Sequence, residues 1–527
     1  MGKRCGMESE DPLTPERSQA LRIAATRSTF LLSGTTLFTY AASFGSTLVL
    51  ARLLTPRQFG EVALAVVIAE FLFLLGGLSL PIALIREPEA SIKAAFDASI
   101  FLTCWIAAAV AVISALIGVG LWRWYSSGVA LMFVAISASR VLVLFGALFL
   151  ADLERRLSYG RFAIALYGST LLSIVVAIPL GYAGAGVWSL ASREIVAGCS
   201  MLAVALVLVR WRPGWVYNRA KVRQLLRFGT GMLGSRLGDV MFHRFDNLMV
   251  GALAGPSSLG LYNQAYVLTD VGVKVLYPAI YQVPMPTYSR LQGDRRLSSQ
   301  VFRVVAFCLS RAVIPISVLF LVIPGQFLSV VLGDQWRPAE HMLRGLAVYG
   351  LLIPLVEHAR IVLIAHGAVR QVLVARLIQL AFFVPATVVA TWLWGGNGTA
   401  IVVAIAMVLG AVAVHYFVRR FVDIPKRDFV APIIAGVVAS TVLAAVSQIV
   451  SGDGIVVVVG TALATTAFIA TLIALERSLL IGNLSVIARS LRARRSLQES
   501  SSPGREMPIS SANIEGVAPI WTVKDDL

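Results

Sequence analysis

The sequence predicts an all-α polytopic membrane protein of about 14 transmembrane helices, in two pseudo-symmetric six-helix lobes plus two extra C-terminal helices. Three observations predict it. Hydrophobic residues fill 57% of the 527 positions and charged residues only 14%, far from the balance of a soluble domain. Most of the 45 Lys and Arg residues fall in every second gap between apolar segments. That is the positive-inside pattern of a multi-pass protein with both termini cytoplasmic. A turn motif near the start also recurs two hundred residues later.

A spanning helix needs roughly 20 mostly apolar residues. Segments meeting that test lie at 29–51, 59–85, 95–120, 127–151, 160–182, 185–209, 228–253, 260–288, 302–324, 341–365, 370–395, 398–418, 429–450 and 454–475. Residues 1–28 form a polar cytoplasmic tail with Lys3, Arg4, Arg17, Arg22 and Arg27. The apolar run after it exceeds a signal-peptide core and lacks a small-residue cleavage site, so it is retained as the first helix. Residues 29–209 make the N-lobe, helices one to six, with Arg155, Arg156 and Arg161 at an inner gap. A basic cytoplasmic linker at 210–227 carries Arg210, Arg212, Arg219, Lys221, Arg223 and Arg227. Residues 228–420 make the C-lobe, helices seven to twelve, with Arg290, Arg295, Arg296 and Arg303 at an inner gap. Helices thirteen and fourteen occupy 421–475, after Arg419 and Arg420. At 476–527, a basic amphipathic stretch, Arg477–Arg495, lies on the inner membrane surface and gives way to a disordered tail. The outer gaps are short and Gly-rich, as at Gly181–Gly186, Gly395–Gly398 and Gly452–Gly454. The longest, 325–340, holds Asp334, Arg337 and Glu340 and is expected to be a solvated turn.

The net charge of +17 is a topology and anionic-headgroup signal, and no nucleic-acid partner is expected. Cys5, Cys104, Cys199 and Cys308 are scattered, with neither disulfide nor metal spacing. Gly229–Ser235 has the glycine spacing of a phosphate loop, but Ser235 stands where that motif requires Lys. With no nucleophile elbow, zinc spacing or large soluble domain, the chain is expected not to be an enzyme and to need no cofactor.

The repeat sets the internal symmetry. Leu53-Leu54-Thr55-Pro56-Arg57-Gln58-Phe59-Gly60 follows the first helix and Leu253-Ala254-Gly255-Pro256-Ser257-Ser258-Leu259-Gly260 the seventh, with Ala65 and Ala265 keeping register. An even number of helices separates the copies, so the halves share one orientation. A parallel repeat of this kind implies two lobes about an axis along the membrane normal, with any central site between them.

The run Asp246-Asn247-Leu248-Met249-Val250-Gly251 with Gly255 to Tyr266 resembles helices seven and eight of the Wzx-type polysaccharide flippases. More closely, it is similar to the lipopolysaccharide and colanic-acid exporter branch of the multidrug/oligosaccharidyl-lipid/polysaccharide exporter superfamily. Leu50 to Gly60, Tyr288 to Gln292 and Leu332 to Trp336 fit the same pattern. The resemblance covers roughly residues 25 to 420. It implies twelve core helices plus two and a bacterial inner-membrane location. It also implies movement of a prenyl-pyrophosphate-linked oligosaccharide to the outer leaflet, with a polysaccharide polymerase and export machinery as further partners. A drug/cation antiporter and a peptidoglycan-precursor flippase are alternatives within the superfamily; a membrane-embedded polysaccharide-assembly enzyme is one outside it.

Ionisable groups at membrane depth are costly and face cavities or partners. Helix seven carries Arg236, Asp239, His243 and Asp246 on one face, beside Arg244 and Asn247. Helix eight carries Asn263, Tyr266, Asp270, Lys274, Tyr277, Tyr281 and Tyr288 on another. Glu70, Arg140, Arg193, Glu194, Arg311, Glu357, His358 and Arg360 complete the set. For a pyrophosphate bearing sugars, the substrate-binding candidates are Arg140, Arg193, Arg236, Arg244, Lys274 and Arg360, with Tyr266, Tyr277 and Tyr281 offering ring faces to sugar. Glu70, Asp239, His243, Asp246, Asp270 and Glu357 are ion-coupling or structural polar groups. Asp270 with Lys274, Arg236 with Asp239, and Glu357 with Arg360 are also spaced to pair within one helix.

Overall fold

Among the described residues all regular structure is helical. The computed structural model describes residues 15–423 except 77, 210–213, 215–216, 278–279 and 282–283, with side chains from residue 34 onward except 75, 76, 232, 235, 273, 277 and 315. The segments expected at 429–450 and 454–475, the basic stretch and the tail lie outside the described residues, as do residues 1–14. The described residues belong to one compact unit, Met1–Leu472.

The helices follow in order: α1 Pro15–Leu53, α2 Pro56–Gly76, α3 Leu80–Ile85, α4 Ile92–Trp124, α5 Ser127–Arg155, α6 Tyr159–Tyr182 and α7 Val187–Leu208. The second half holds α8 Arg219–Met249, α9 Gly255–Tyr277, α10 Pro284–Arg290, α11 Arg295–Val322, α12 Pro324–Val331, α13 Glu340–Ala365 and α14 Val369–Val418. Seven of the described helical segments are long and apolar enough to cross a membrane; those of α8 and α9 are not among them. For α8 and α9 that difference follows from the charged and polar residues they carry; α1 and α2 also fall outside the seven. The protein is a polytopic all-α membrane protein.

Several boundaries differ from the sequence reading, each for a local reason. Helix α1 starts at Pro15, so the expected tail is helical from there. The second half of the basic linker forms the first turns of α8, where the Asn218 side chain accepts from the Lys221 amide at 3.1 Å. The segment 59–85 is not continuous: it breaks before α3, with Ser79 at φ 51°. Helix α14 contains two expected spans, separated by Gly395 at φ 59°, a conformation that favours glycine.

The outer gap at 325–340 keeps Asp334 and Arg337 exposed, as expected, but is more than a turn. It folds into α12 and a short 3-10 stretch, Asp334–Ala339, whose Trp336 is fully buried. The Trp336 ring meets Phe59 edge-on at 5.2 Å and its Nε1 donates to the Ala51 carbonyl at 2.8 Å. Gln335 Nε2 donates to Ala51 and Leu54 carbonyls at 2.7 and 3.1 Å. A segment of the second half thus closes over the α1–α2 turn of the first.

The two repeat copies touch each other reciprocally. A methyl group on Gly60 would sit 1.7 Å from the Pro256 carbonyl oxygen, and one on Gly260 would sit 1.8 Å from that of Pro56. Helices α2 and α9 pack along one another from this crossing. Only residues without a Cβ allow backbones so close, which is why both copies of the motif end in Gly.

Exposed aromatic residues gather at the end that carries the Gly-rich turns: Trp122, Trp124, Tyr182, Trp188, Trp392 and Trp394. Amphipathic rings of this kind settle at a membrane–water boundary.

At the opposite, basic end the halves are bridged by charge. Glu87, in the turn before α4, pairs with Lys221 of α8 and accepts from Ser91. Arg155 of α5 donates to the Glu87 carbonyl and pairs with Glu89. Asp97 accepts from the Gly214 amide at 2.8 Å. Burial pushes the Glu87 carboxyl up, but hydrogen bonds from Lys221 and Ser91 and the charges of Lys221 and Arg155 outweigh it and hold the group below its ordinary 4.5. A depressed folded value gives a contribution present in full above the ordinary carboxylate range and lost as pH falls through the lowered one. Thermal unfolding in detergent is therefore expected to weaken from about pH 5 downward, and Glu87→Gln to lower stability at neutral pH while removing part of that acid dependence. An unchanged acid profile in the variant would contradict this role.

Candidate functional site

Helices α1 and α2 meet α9 beside α7 and α8, and a cavity of about 630 Å³ opens among them. Its walls are largely apolar, with Leu37, Phe44, Val66 and Val271 contributing, but acidic and basic side chains enter it: Arg193, Glu194, His243, Arg244, Asp270 and Lys274. Tyr266 and Asn263 also line it. His243 and Arg244 of α8 and Asn263, Tyr266, Asp270 and Lys274 of α9 thus meet charged groups from α7 in one space.

The charges form two separate networks. In the first, Arg140 Nη2 lies 2.7 Å from Glu194 Oε2 and 3.7 Å from Glu70 Oε1. Glu70 Oε2 in turn takes Arg244 Nε at 2.7 Å, so α2 of the first half is tied to α8 of the second. Arg193 donates to the Thr47 hydroxyl at 3.0 Å, and Lys274 holds Asp270 at 3.1 Å.

The second network lies within the second half. Glu357 receives Arg360 at 2.7 Å and the Tyr281 hydroxyl at 2.6 Å. Arg376 donates to Gln379 at 2.9 Å, lies 3.5 Å from Asp239 and 3.9 Å from Glu357, and covers the Phe242 ring at 4.5 Å. Arg360 also approaches Asp239 at 3.7 Å. Buried guanidinium and carboxylate groups balance one another here. Removing one partner leaves an uncompensated charge, a change worth about 3–5 kcal/mol. Glu357→Gln is expected to lose stability on that scale in a thermal or chemical unfolding measurement, and adding Arg376→Gln to recover part of it. A Glu357→Gln protein as stable as the parent would refute this account.

The candidates from sequence therefore separate. The cavity brings together Arg193, Arg244, Lys274, Tyr266, His243 and Asp270, with Arg140 and Glu70 joined to it by ion pairs. Arg360, Tyr281, Asp239 and Glu357 belong to the second network instead. Arg236 is on an exposed face of α8, and the side chain of Tyr277 lies outside the described residues. Asp246 is buried, accepting from the Tyr262 hydroxyl at 2.7 Å and the Asn247 amide at 2.8 Å. His358 is also buried, stacked on Phe302 and bonded to the Tyr288 hydroxyl at 2.8 Å. Arg311 sits over Phe307 on its own helix. Of the three pairs expected within one helix, Asp270 with Lys274 and Glu357 with Arg360 form, whereas Asp239 reaches across to Arg360 and Arg376. The reach across is the preferred geometry because those guanidinium groups are buried and have few other anions.

Sequence reasoning missed Arg376 and Tyr349. Arg376 lies near the basic start of its segment, where a cation reads as snorkelling to the interface. Tyr349, whose hydroxyl accepts from Tyr266 at 2.8 Å, carries no charge to single it out.

Residues 49–341, more than half of the chain, match the profile of a family described as polysaccharide biosynthesis protein. The chain belongs to that family. It is 26% identical over 326 residues to the succinoglycan biosynthesis transport protein ExoT of Rhizobium meliloti, which covers 60% of this chain and 64% of that protein. The match thus spans a little under two thirds of that relative. The chain is also 23% identical over 379 residues to the lipopolysaccharide biosynthesis protein WzxC of Escherichia coli, covering 70% of this chain and 75% of that one. Among solved structures it is similar to the lipid II flippase MurJ in an inward closed conformation, with a TM-score of 0.70 over 86% of this chain and 100% of that one. At 12% identity, that likeness shows the fold.

Proposed function

We propose that the chain is a flippase that moves a prenyl-pyrophosphate-linked oligosaccharide repeat unit from the cytoplasmic to the outer leaflet of a bacterial inner membrane during exopolysaccharide or lipopolysaccharide biosynthesis. The observation that carries this reading is the cavity between the halves, with Arg193 entering from one side and Arg244 and Lys274 from the other. Guanidinium groups pair with phosphate oxygens in bidentate fashion, and a site at membrane depth strengthens those bonds. The Tyr266 ring offers a flat face for sugar. Leu37 and Val275 line the cavity and are themselves exposed, so a prenyl tail can remain in lipid while the polar head enters.

Transport follows by alternating access. Two six-helix lobes, followed by two further helices, rock about the crossing of Gly60 and Gly260, with both termini cytoplasmic. The break before α3, at Ser79, supplies a place to bend. A polymerase and export machinery would act on the delivered unit. Names of the relatives support this substrate class, since both belong to polysaccharide or lipopolysaccharide biosynthesis.

Deleting the gene and assigning the leaflet of the prenyl-pyrophosphate-linked sugars tests the proposal. Complete repeat units trapped on the inner face are expected. Units reaching the outer face unpolymerised would instead assign the chain to polymerisation.

A further inference from the structure

We infer that Glu70 is an internal counter-anion that occupies Arg244 while the cavity is empty and is displaced by the pyrophosphate of the cargo, so that the two halves part at α2 and α8 only when an anion takes its place. This rests on the pyrophosphate-cargo reading above and adds to it the device that ties loading to movement.

The contacts divide the charges unequally between the halves. Arg140 and Arg193 belong to the first half together with Glu70 and Glu194, two cations with two carboxylates. Arg140 lies between both carboxylates, at 2.7 Å from Glu194 and 3.7 Å from Glu70. Across the cavity, Lys274 has Asp270 of its own helix. Arg244 does not: among the described residues, Glu70 of the opposite half is the carboxylate bridged to it. Separating α2 from α8 would therefore leave the first half with its charges matched and strand Arg244 at membrane depth, a costly state.

An anionic head resolves this. Arg244 faces the cavity and its side chain is 38% exposed, whereas Glu70 behind it is 21% exposed and is not part of the wall. Arg193, bonded to the neutral Thr47 hydroxyl, lines the same cavity and can join Arg244 around an entering anion. A pyrophosphate held by Arg193 can then accept from Arg244 in place of Glu70, and Glu70 is left with Arg140. Arg244 now carries its own anion and is no longer tied to α2. Glu70 acts through Arg244 and is a positioning residue.

The test uses the full chain in lipid nanodiscs, farnesyl pyrophosphate as the probe, and spin labels reporting the separation of α2 and α8. In the parent protein the separation is expected to increase only on adding probe. Glu70→Gln is expected to show the wider separation without probe and to bind it about tenfold more tightly, because a competing anion is gone. Should Glu70→Gln fail to assemble, the exchanged pair Glu70→Arg with Arg244→Glu decides: it is expected to stay closed and to ignore the probe. Unchanged or weaker binding by a closed Glu70→Gln protein would overturn the inference, as would an exchanged pair that opens with probe like the parent. A parent protein that does not bind farnesyl pyrophosphate would bring down the pyrophosphate reading itself, an outcome distinct from normal binding without release.

Discussion

Replacing Arg193 and Arg244 together by Gln is expected to abolish delivery of lipid-linked sugars to the outer leaflet while leaving the protein in the membrane. Both guanidinium groups enter the cavity, one from each half. Truncating a buried, charge-paired group typically weakens binding by about 2–5 kcal/mol. Losing two from one phosphate site should reduce delivery by about a hundredfold or more, since 1.4 kcal/mol is a factor of ten. Gln keeps a polar amide but removes the charge and the guanidinium fork, so the loss would report the cationic, bidentate group. Two other substitutions separate binding from folding. Arg236→Gln, on an exposed face of α8, is expected to leave delivery near normal, and Arg360→Gln to act through stability because it breaks the network around Glu357. Delivery at the parental rate by the Arg193/Arg244 double variant would remove the cavity from the mechanism.

Valine at Gly60 or Gly260 is expected to prevent the halves from packing at all. A Cβ at either position would lie 1.7 or 1.8 Å from a carbonyl oxygen of the opposing turn, and a backbone atom cannot rotate away as a side chain can. Overpacking a core by flexible groups costs about 1–3 kcal/mol; here α2 and α9 must move apart, so the loss should reach or exceed the upper figure. Gly168, which has open space around it, serves as the control: Gly168→Ala is expected to change little. Yield and thermal midpoint of detergent-purified protein provide the measurement, and a Gly60→Val protein with parental stability would show that the close crossing does not hold the halves together.

The central architecture was legible because a bilayer imposes local rules. Segment positions such as 127–151, 160–182 and 185–209 emerge as α5, α6 and α7 with small shifts, since length and hydropathy alone select them. The Pro–Gly motif was legible as a repeat, and its two copies are found face to face. The break at Ser79 was less so, because apolar composition continues through it. The folding of 325–340 against the first half was hidden as well: Trp336 looks like any interfacial aromatic until its partner Phe59 is known.

For the site, residue type indicated which groups matter and spacing misled about what they touch. Helical periodicity paired Arg236 with Asp239, but Arg376 and Arg360, more than a hundred residues away, are what Asp239 meets. Arg140, Arg193 and Arg244 were all legible as cations at depth, yet only packing shows Arg244 entering the cavity while Arg140 stands behind the wall, paired with the lining Glu194.

The sequence by itself determined that this is a helical membrane protein with a recurring Pro–Gly turn motif, and which ionisable side chains its apolar segments carry. Those properties depend on runs of neighbouring residues and on the energy of placing them in hydrocarbon. The tertiary structure alone decided which charge faces which, that Glu70 crosses between halves to Arg244, and that Arg360 turns to Glu357 and away from the cavity. Ion pairs form over a few ångströms in space and are indifferent to distance along the chain, so no local pattern encodes them.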